Sequence, residues 1–300
     1  MNKLRDFGGT AAAKRRKSAA HGPSAALRVN SSRGTPALDA EAPKGRKKRK
    51  VNEVQIIPIP VASEIQPGDP IAETLLASIR QHELSLEPGD ILVVKHKIVS
   101  KSEGRLVDLA TIHPSAESVA WAKKYGLDPG VIELALRESR AVIRRKNGVL
   151  ITETRHGFLC ANSGVDVSNV NGGRHALLLP EDPDRSAAQL HRQIEKCIGL
   201  SIPVIITDSF GRPWREGLTE SCIGIAGMKP LRDDRGRRDP YGYKLRVSLE
   251  AVADELACAA GLVCGKLNRT PACIVRGFRY ESGRGHARDL LRPASTDLFR

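Results

Sequence analysis

The sequence predicts an α+β domain over residues 54–300, preceded by a basic extension over residues 1–53. Three observations predict it. Short runs of aliphatic and β-branched residues, at 54–57, 91–94 and 204–207, read as buried strands. Segments with helical spacing alternate with those runs, and two of them open on an Asp-Pro pair. Upstream of residue 54 the chain is Ala, Lys, Arg, Ser, Gly and Pro with almost no large apolar side chains.

That extension cannot bury enough surface to offset the entropy of ordering it, so it is expected to be disordered. It also carries most of the charge. Of the formal +14, residues 1–53 hold 14 Lys/Arg against 4 Asp/Glu, leaving only +4 for the other 247 residues. The basic pI is therefore poor support for nucleic-acid binding by the folded part. Lys14–Lys17 and Arg46–Lys50 fit nucleic-acid or nuclear-import patches, although a solvated extension is the simpler and favoured reading. A salt titration of nucleic-acid affinity with and without residues 1–53 separates the two. No apolar run approaches the ~18 residues of a membrane span, and the N-terminus lacks a hydrophobic signal core. Six cysteines show neither CxxC nor zinc spacing and read as free thiols in a reducing compartment. The expectation is a soluble, cytoplasmic protein with no membrane partner.

In chain order, order begins with the strand at 54–57. Pro58, Pro60, Pro67, Gly68 and Pro70 then impose a loop. Ile71, Leu75 and Ile79 mark one helix face. After Pro88-Gly89-Asp90 the strand at 91–94 runs on through Lys95, His96 and Lys97, which alternate as strand residues do, and Lys101 reaches a phosphate position at its end. Asp128-Pro129 starts a helix expected to reach about Arg145. Lys146-Asn147-Gly148 turns into a hairpin of 149–154 with 158–161. The loop that follows offers Asp166 and Asn169 as ligands for a cation and for a base or ribose edge, although Asx turns explain the same composition. Asp182-Pro183 starts a helix that stops at Gly199, residues 228–243 form a long loop, and a helix over 251–263 precedes a last strand at 272–275.

The stretch with most chemical content is VIITDSFGRPWREG, residues 204–217. A buried strand ends at Asp208-Ser209, beside Arg212 and Arg215. Carboxylate and hydroxyl oxygens suit Mg²⁺ or Mn²⁺, and guanidinium forks suit phosphate. A turn with a capping Asp and solvated Arg residues is the plainer reading of the same residues. The segment Cys264–Pro271 combines backbone-permissive Gly with Lys, Asn and Arg, which suits wrapping a nucleotide and also an ordinary helix-to-strand connection. Neither GxxxxGK[ST] nor a GxGxxG after a strand is present, so neither common nucleotide-binding fold is supported.

Taken together, the blocks GDILVVKHKIVSKSEGR, RHGFLCANSGVDVSN, LLLPEDPD, VIITDSFGRPWREG, DPYGYKL, VADELACAAGLVCGK and LLRPASTDLF resemble the coenzyme F420:L-glutamate ligases, or gamma-glutamyl ligases. The resemblance runs from Val54 to Arg300 and has no counterpart for the extension. It implies that family's own fold of mixed sheets with packed helices, assembled as a homodimer. It implies a GTP-dependent enzyme needing a divalent metal, Mg or Mn and two ions, and helped by K⁺. Such an enzyme adds L-glutamate to the phospholactyl carboxylate of a deazaflavin cofactor precursor, then a second through a gamma-linked amide, releasing GDP and phosphate. The same chemistry on another acid acceptor would carry the same site. Carried residue by residue, the metal positions fall on Asp166, Asp208 and Ser209. The GTP-binding positions fall on Ala62, Ser63, Glu64 and Ile65, on His96, Lys97 and Lys101, on Asn169, and on Cys264, Gly265, Lys266, Leu267, Asn268, Arg269, Thr270 and Pro271. The family commonly has Thr at position 209, a small polar residue at 96, and a Gly-Leu-Pro type of loop at 61–63. Lys101, which the resemblance makes a nucleotide contact, and Arg212, from its position beside Asp208, are the expected catalytic charges, and Arg215 is an expected holder of a substrate carboxylate.

Overall fold

The computed structural model describes residues 27–29, 53–168 and 171–298. Of the basic extension, that leaves Leu27–Val29 and Glu53; the rest of it lies outside the described residues. In chain order the elements are β1 (Leu27–Val29), β2 (Val54–Ile59), α1 (Ile71–Gln81), β3 (Ile91–Lys95) and α2 (His96–Ser102). Then come β4 (Leu106–Asp108), α3 (Ala116–Tyr125), α4 (Pro129–Arg137), β5 (Ser139–Lys146), β6 (Val149–Thr154), β7 (Leu159–Ala161) and β8 (His175–Leu177). The chain finishes with α5 (Pro183–Ile198), β9 (Val204–Arg212), β10 (Arg215–Ala226), β11 (Arg232–Asp233), β12 (Leu249–Glu250), α6 (Val252–Cys264) and β13 (Ala272–Arg276).

The apolar runs pair into a six-stranded mixed sheet in the order β1-β2-β13-β3-β9-β10. Only β3 and β9 are parallel within it, with Lys95 opposite Thr207. Residues 91–94 and 204–207 are buried throughout, as strands covered on both faces must be. α1, α5 and α6 pack around this sheet, and one continuous apolar core joins them to it. A second, smaller core of Leu134, Ala135, Leu150, Val165, Ala176 and Leu178 lies under α4 and the three-stranded sheet β5-β6-β7. This is the mixed α+β architecture expected.

Three local expectations are corrected. The chain after β3 coils into α2 instead of extending, because the buried residues His96, Val99 and Ser100 have i, i+3, i+4 spacing, which a helix turns onto one packed face. α4 ends at Arg137, and 139–146 form β5, which pairs with β6 through the predicted Asn147-Gly148 turn. Both turn residues have positive φ, 51° and 78°, as this two-residue hairpin type requires. The strand at 204–207 continues to Arg212 and returns as β10, so Gly211–Leu218 form the exposed tip of a long hairpin.

Where α5 docks on β10, the backbone approach leaves no room for a side chain. A Cβ at Gly224 would lie 2.3 Å from the Pro183 carbonyl oxygen. Next to it Asp184 Oδ1 accepts from the Ile225 amide at 2.9 Å. Gly224→Ala is therefore expected to cost ~1–3 kcal/mol of stability, read as a fall in Tm of ~2–4 °C per kcal/mol. An unchanged melting curve would contradict so close a contact.

Candidate active site

Because β3 and β9 run parallel in register, their C-terminal ends reach the same sheet edge. β13 starts there and β2 ends there, since Ala272 pairs with both Val94 and Ile59. The loop after β2, the start of α2, the outer half of β9 and the loop before β13 are thus gathered without being close in the chain. They are tied together directly. The Val61 amide donates to the Arg269 carbonyl at 3.0 Å, Arg269 Nη1 to the Ala62 carbonyl at 3.4 Å, and the Lys95 amide to the Pro271 carbonyl at 2.8 Å. A cavity of about 650 Å³ opens between them.

The fourth wall comes from the smaller core. After β7 the chain makes a left-handed corner, with φ of 51°, 52° and 72° at Asn162, Ser163 and Gly164. Ser163 is buried there, its hydroxyl donating to the Ala135 carbonyl at 2.7 Å and lying 2.8 Å from Thr152 Oγ1. Gly164 is required, since a Cβ would come within 2.8 Å of Leu179. The corner delivers Asp166, whose backbone bonds Leu177 in both directions at 3.0 and 2.8 Å.

Asp166 and Asp208 line the same cavity, and each faces one residue of the β3–α2 junction. Lys97 Nζ is 2.7 Å from Asp166 Oδ2 and donates to the Ser168 hydroxyl and carbonyl at 2.8 and 3.1 Å. Burial opposes ionisation of Asp166, but the Lys97 ammonium and the Ser168 amide outweigh it and hold the carboxyl below its usual range. His96 Nε2 lies 3.2 Å from Asp208 Oδ1 without hydrogen-bond alignment, so this 2%-exposed ring has an unsatisfied nitrogen beside the carboxylate. The Ser209 amide fixes Asp208 Oδ1 at 2.7 Å. Burial and the Asp208 charge push the Cys160 thiol up to about 12, which makes that cavity-lining sulfur chemically inert.

Of the residues named from the sequence, 62–65, 96, 97, 101, 166, 208, 209, 264–267 and 269–271 line this one cavity. Lys101 is ion-paired with Glu64 across it. Asn268 is not among the lining residues, and Asn169 lies outside the described residues. Arg212 does not line the cavity either. It sits on the exposed hairpin, its guanidinium donating to the Glu216 carbonyl at 3.0 Å, and Arg215 is likewise exposed. Arg212 lies four residues along β9 from Asp208, ~13 Å at strand spacing, and the hairpin carries both arginines outward past the cavity.

Two groups at the back of the cavity were missed. Glu220 of β10 and Lys95 of β3 form an ion pair of 2.5 Å with side chains only 9% and 15% exposed. Lys95 was visible as a polar residue at the end of an apolar strand. Glu220 could have been found from the apolar run 222–226 immediately after it, since a carboxylate leading into a buried strand needs a partner.

Among the described residues, no cluster of three or more His, Cys, Asp or Glu side chains is gathered as a metal cage. The donor set still fits a hard cation of the kind that keeps waters and phosphate oxygens and takes one or two carboxylates from protein. Asp166, Asp208 and Ser209 supply that set. The oxygens of Asp166 and Ser168 already hold a cation, the ammonium of Lys97.

A family model described as F420-0:Gamma-glutamyl ligase matches residues 61–277. The chain is 43% identical over 252 residues to the coenzyme F420:L-glutamate ligase of Methanopyrus kandleri, covering 82% of this chain and 98% of that protein. The corresponding proteins of Methanothermobacter thermautotrophicus and Methanocaldococcus jannaschii are each 43% identical, over 236 and 216 residues. Those alignments cover 78% and 72% of this chain, and 93% and 86% of the relatives.

Proposed function

The chain belongs to the F420-0:gamma-glutamyl ligase family, and from that premise we propose that it ligates L-glutamate to the phospholactyl carboxylate of the F420 precursor at the expense of GTP. The observation that carries this reading is the convergence of Asp166, Asp208, Ser209, Lys97 and Lys101 on one cavity with the loops at 61–65 and 264–271. A carboxylate is a poor electrophile, and amide formation in water runs uphill. Transfer of the γ-phosphoryl group to the acceptor carboxylate breaks the bond to GDP and makes an acyl phosphate. The glutamate amine then attacks the acyl carbon, loses a proton, and phosphate leaves.

The chain's part is to bring two anions together and hold their charge. Lys95, Lys97 and Lys101 surround the cavity with ammonium groups, and the loops at 61–65 and 264–271 enclose the nucleotide. Asp166, Asp208 and Ser209 would hold divalent metal, Mg²⁺ or Mn²⁺, which would supply neutralising charge for the transferring phosphoryl group. Use of K⁺, assembly as a homodimer and addition of a second, gamma-linked glutamate belong to the same proposal. Among the described residues, no helix is long and apolar enough to cross a membrane. Incubation with GTP, Mn²⁺, L-glutamate and the glutamate-free precursor tests the reading. Mass spectrometry is expected to find the precursor heavier by glutamate residues, only when all four are present. An unchanged precursor with hydrolysed GTP would point to a different acid acceptor.

A further inference from the structure

The reaction outlined above gives Glu220 no task, yet its surroundings are built for it. Glu220 Oε1 accepts from the Ser209 hydroxyl at 2.6 Å and pairs with Lys95 Nζ at 2.5 Å, while Oε2 accepts from Thr207 Oγ1 at 3.0 Å. Thr207 is fully buried and Glu220 nearly so. α6 makes room for the side chain with a glycine, since a Cβ at Gly261 would lie 2.6 Å from Glu220 Cγ. The register does the rest, with Glu220 directly opposite Ser209 on the neighbouring strand.

A carboxylate oxygen that faces an ammonium and a hydroxyl at these distances accepts a hydrogen bond from each. Each hydroxyl has one proton to give. Ser209 therefore commits its proton to Glu220, and its oxygen presents lone pairs, never a proton, to the cavity it lines. We infer that Glu220 is a positioning residue that turns Ser209 into an obligate oxygen ligand for the nucleotide-bound metal. This rests on the proposed function. Ser209, Lys95 and Thr207 take up three contacts of the Glu220 carboxylate, and Glu220 acts on the metal site through the Ser209 hydroxyl.

The test is Mn²⁺ affinity in the presence of GDP, read by electron paramagnetic resonance of free Mn²⁺, with no turnover involved. Glu220→Met keeps the stem but accepts no proton, and it is expected to weaken Mn²⁺ binding about 10- to 100-fold, as loss of a group supporting a metal ligand does. Ser209→Ala is expected to lose a similar factor, and Ser209→Ala combined with Glu220→Met no more than Ser209→Ala alone. Glu220→Gln retains an acceptor oxygen toward Ser209, so its affinity stays close to that of the parent. Parent-like binding by Glu220→Met, or losses that multiply in the double variant, would overturn the inference. So would a loss in Glu220→Gln as large as that from Ser209→Ala, an arm that stands even if the Met variant fails to fold. Absence of Mn²⁺ binding by the parent itself would overturn the metal reading, and this inference with it.

Discussion

Asp208→Ala is expected to lower turnover about 1,000-fold, equivalent to about 4 kcal/mol of transition-state stabilisation, while the protein stays folded. The strand carrying Asp208 is held by backbone pairing with β10, where Ser221 stands opposite, and by the buried run 204–207. Among the described residues, the side chain itself accepts from the Ser209 amide alone and sits near the unsatisfied His96 nitrogen. Little of the fold depends on it, so the loss should fall on catalysis and on metal-dependent GTP binding. Asp208→Asn keeps the acceptor for the Ser209 amide and removes only the charge. Its activity should be as poor as that of the alanine variant. Glutamylation at the parental rate by either, in protein with the parental melting curve, would remove Asp208 from the site.

Lys97→Met should produce opposite effects on metal and on turnover. In the structure the Lys97 ammonium is held by Asp166 and by two oxygens of Ser168. A divalent ion at Asp166 must displace it, and the displaced ammonium is then free to meet nucleotide phosphate. Methionine keeps the stem and removes the competing charge. Mn²⁺ affinity without nucleotide is expected to rise several-fold, while kcat with GTP falls about 100- to 1,000-fold, the scale of losing one preorganised donor to a transferring group. A fall in both quantities would mean that Lys97 supports the metal site and does not compete with it.

The strands at 91–94 and 204–207, and the helices after Asp128-Pro129 and Asp182-Pro183, were legible because their signals are local. Continuous β-branched burial and an N-cap acid before proline need no distant partner to act; Asp128 accepts from the Gly130 and Val131 amides, and Asp182 from the Arg185 amide. α2 and β5 were not legible. Residues 96–102 follow a strand with no intervening breaker, and only packing decides that they coil. Residues 139–146 carry a pattern compatible with helix or strand, and the backbone bond from Arg155 to the Glu138 carbonyl, between residues far apart in sequence, helps to fix the outcome.

The site divides in the same way. The positions that the resemblance assigns to metal and nucleotide come from long ordered blocks, and most of them meet in one cavity. Arg212 was chosen for nearness in the chain, which fails on an extended strand because four residues carry it ~13 Å away. Glu220 escaped because its role exists only once β10 folds back on β9 and sets it opposite Ser209.

In the proposed reaction this cavity activates an organic acid by phosphorylation before the amine attacks. Acceptor labelled with ¹⁸O in its carboxylate tests it in a single turnover. The account predicts one ¹⁸O in the released inorganic phosphate and the other in the new amide carbonyl. Unlabelled phosphate released alongside glutamylated product would contradict it.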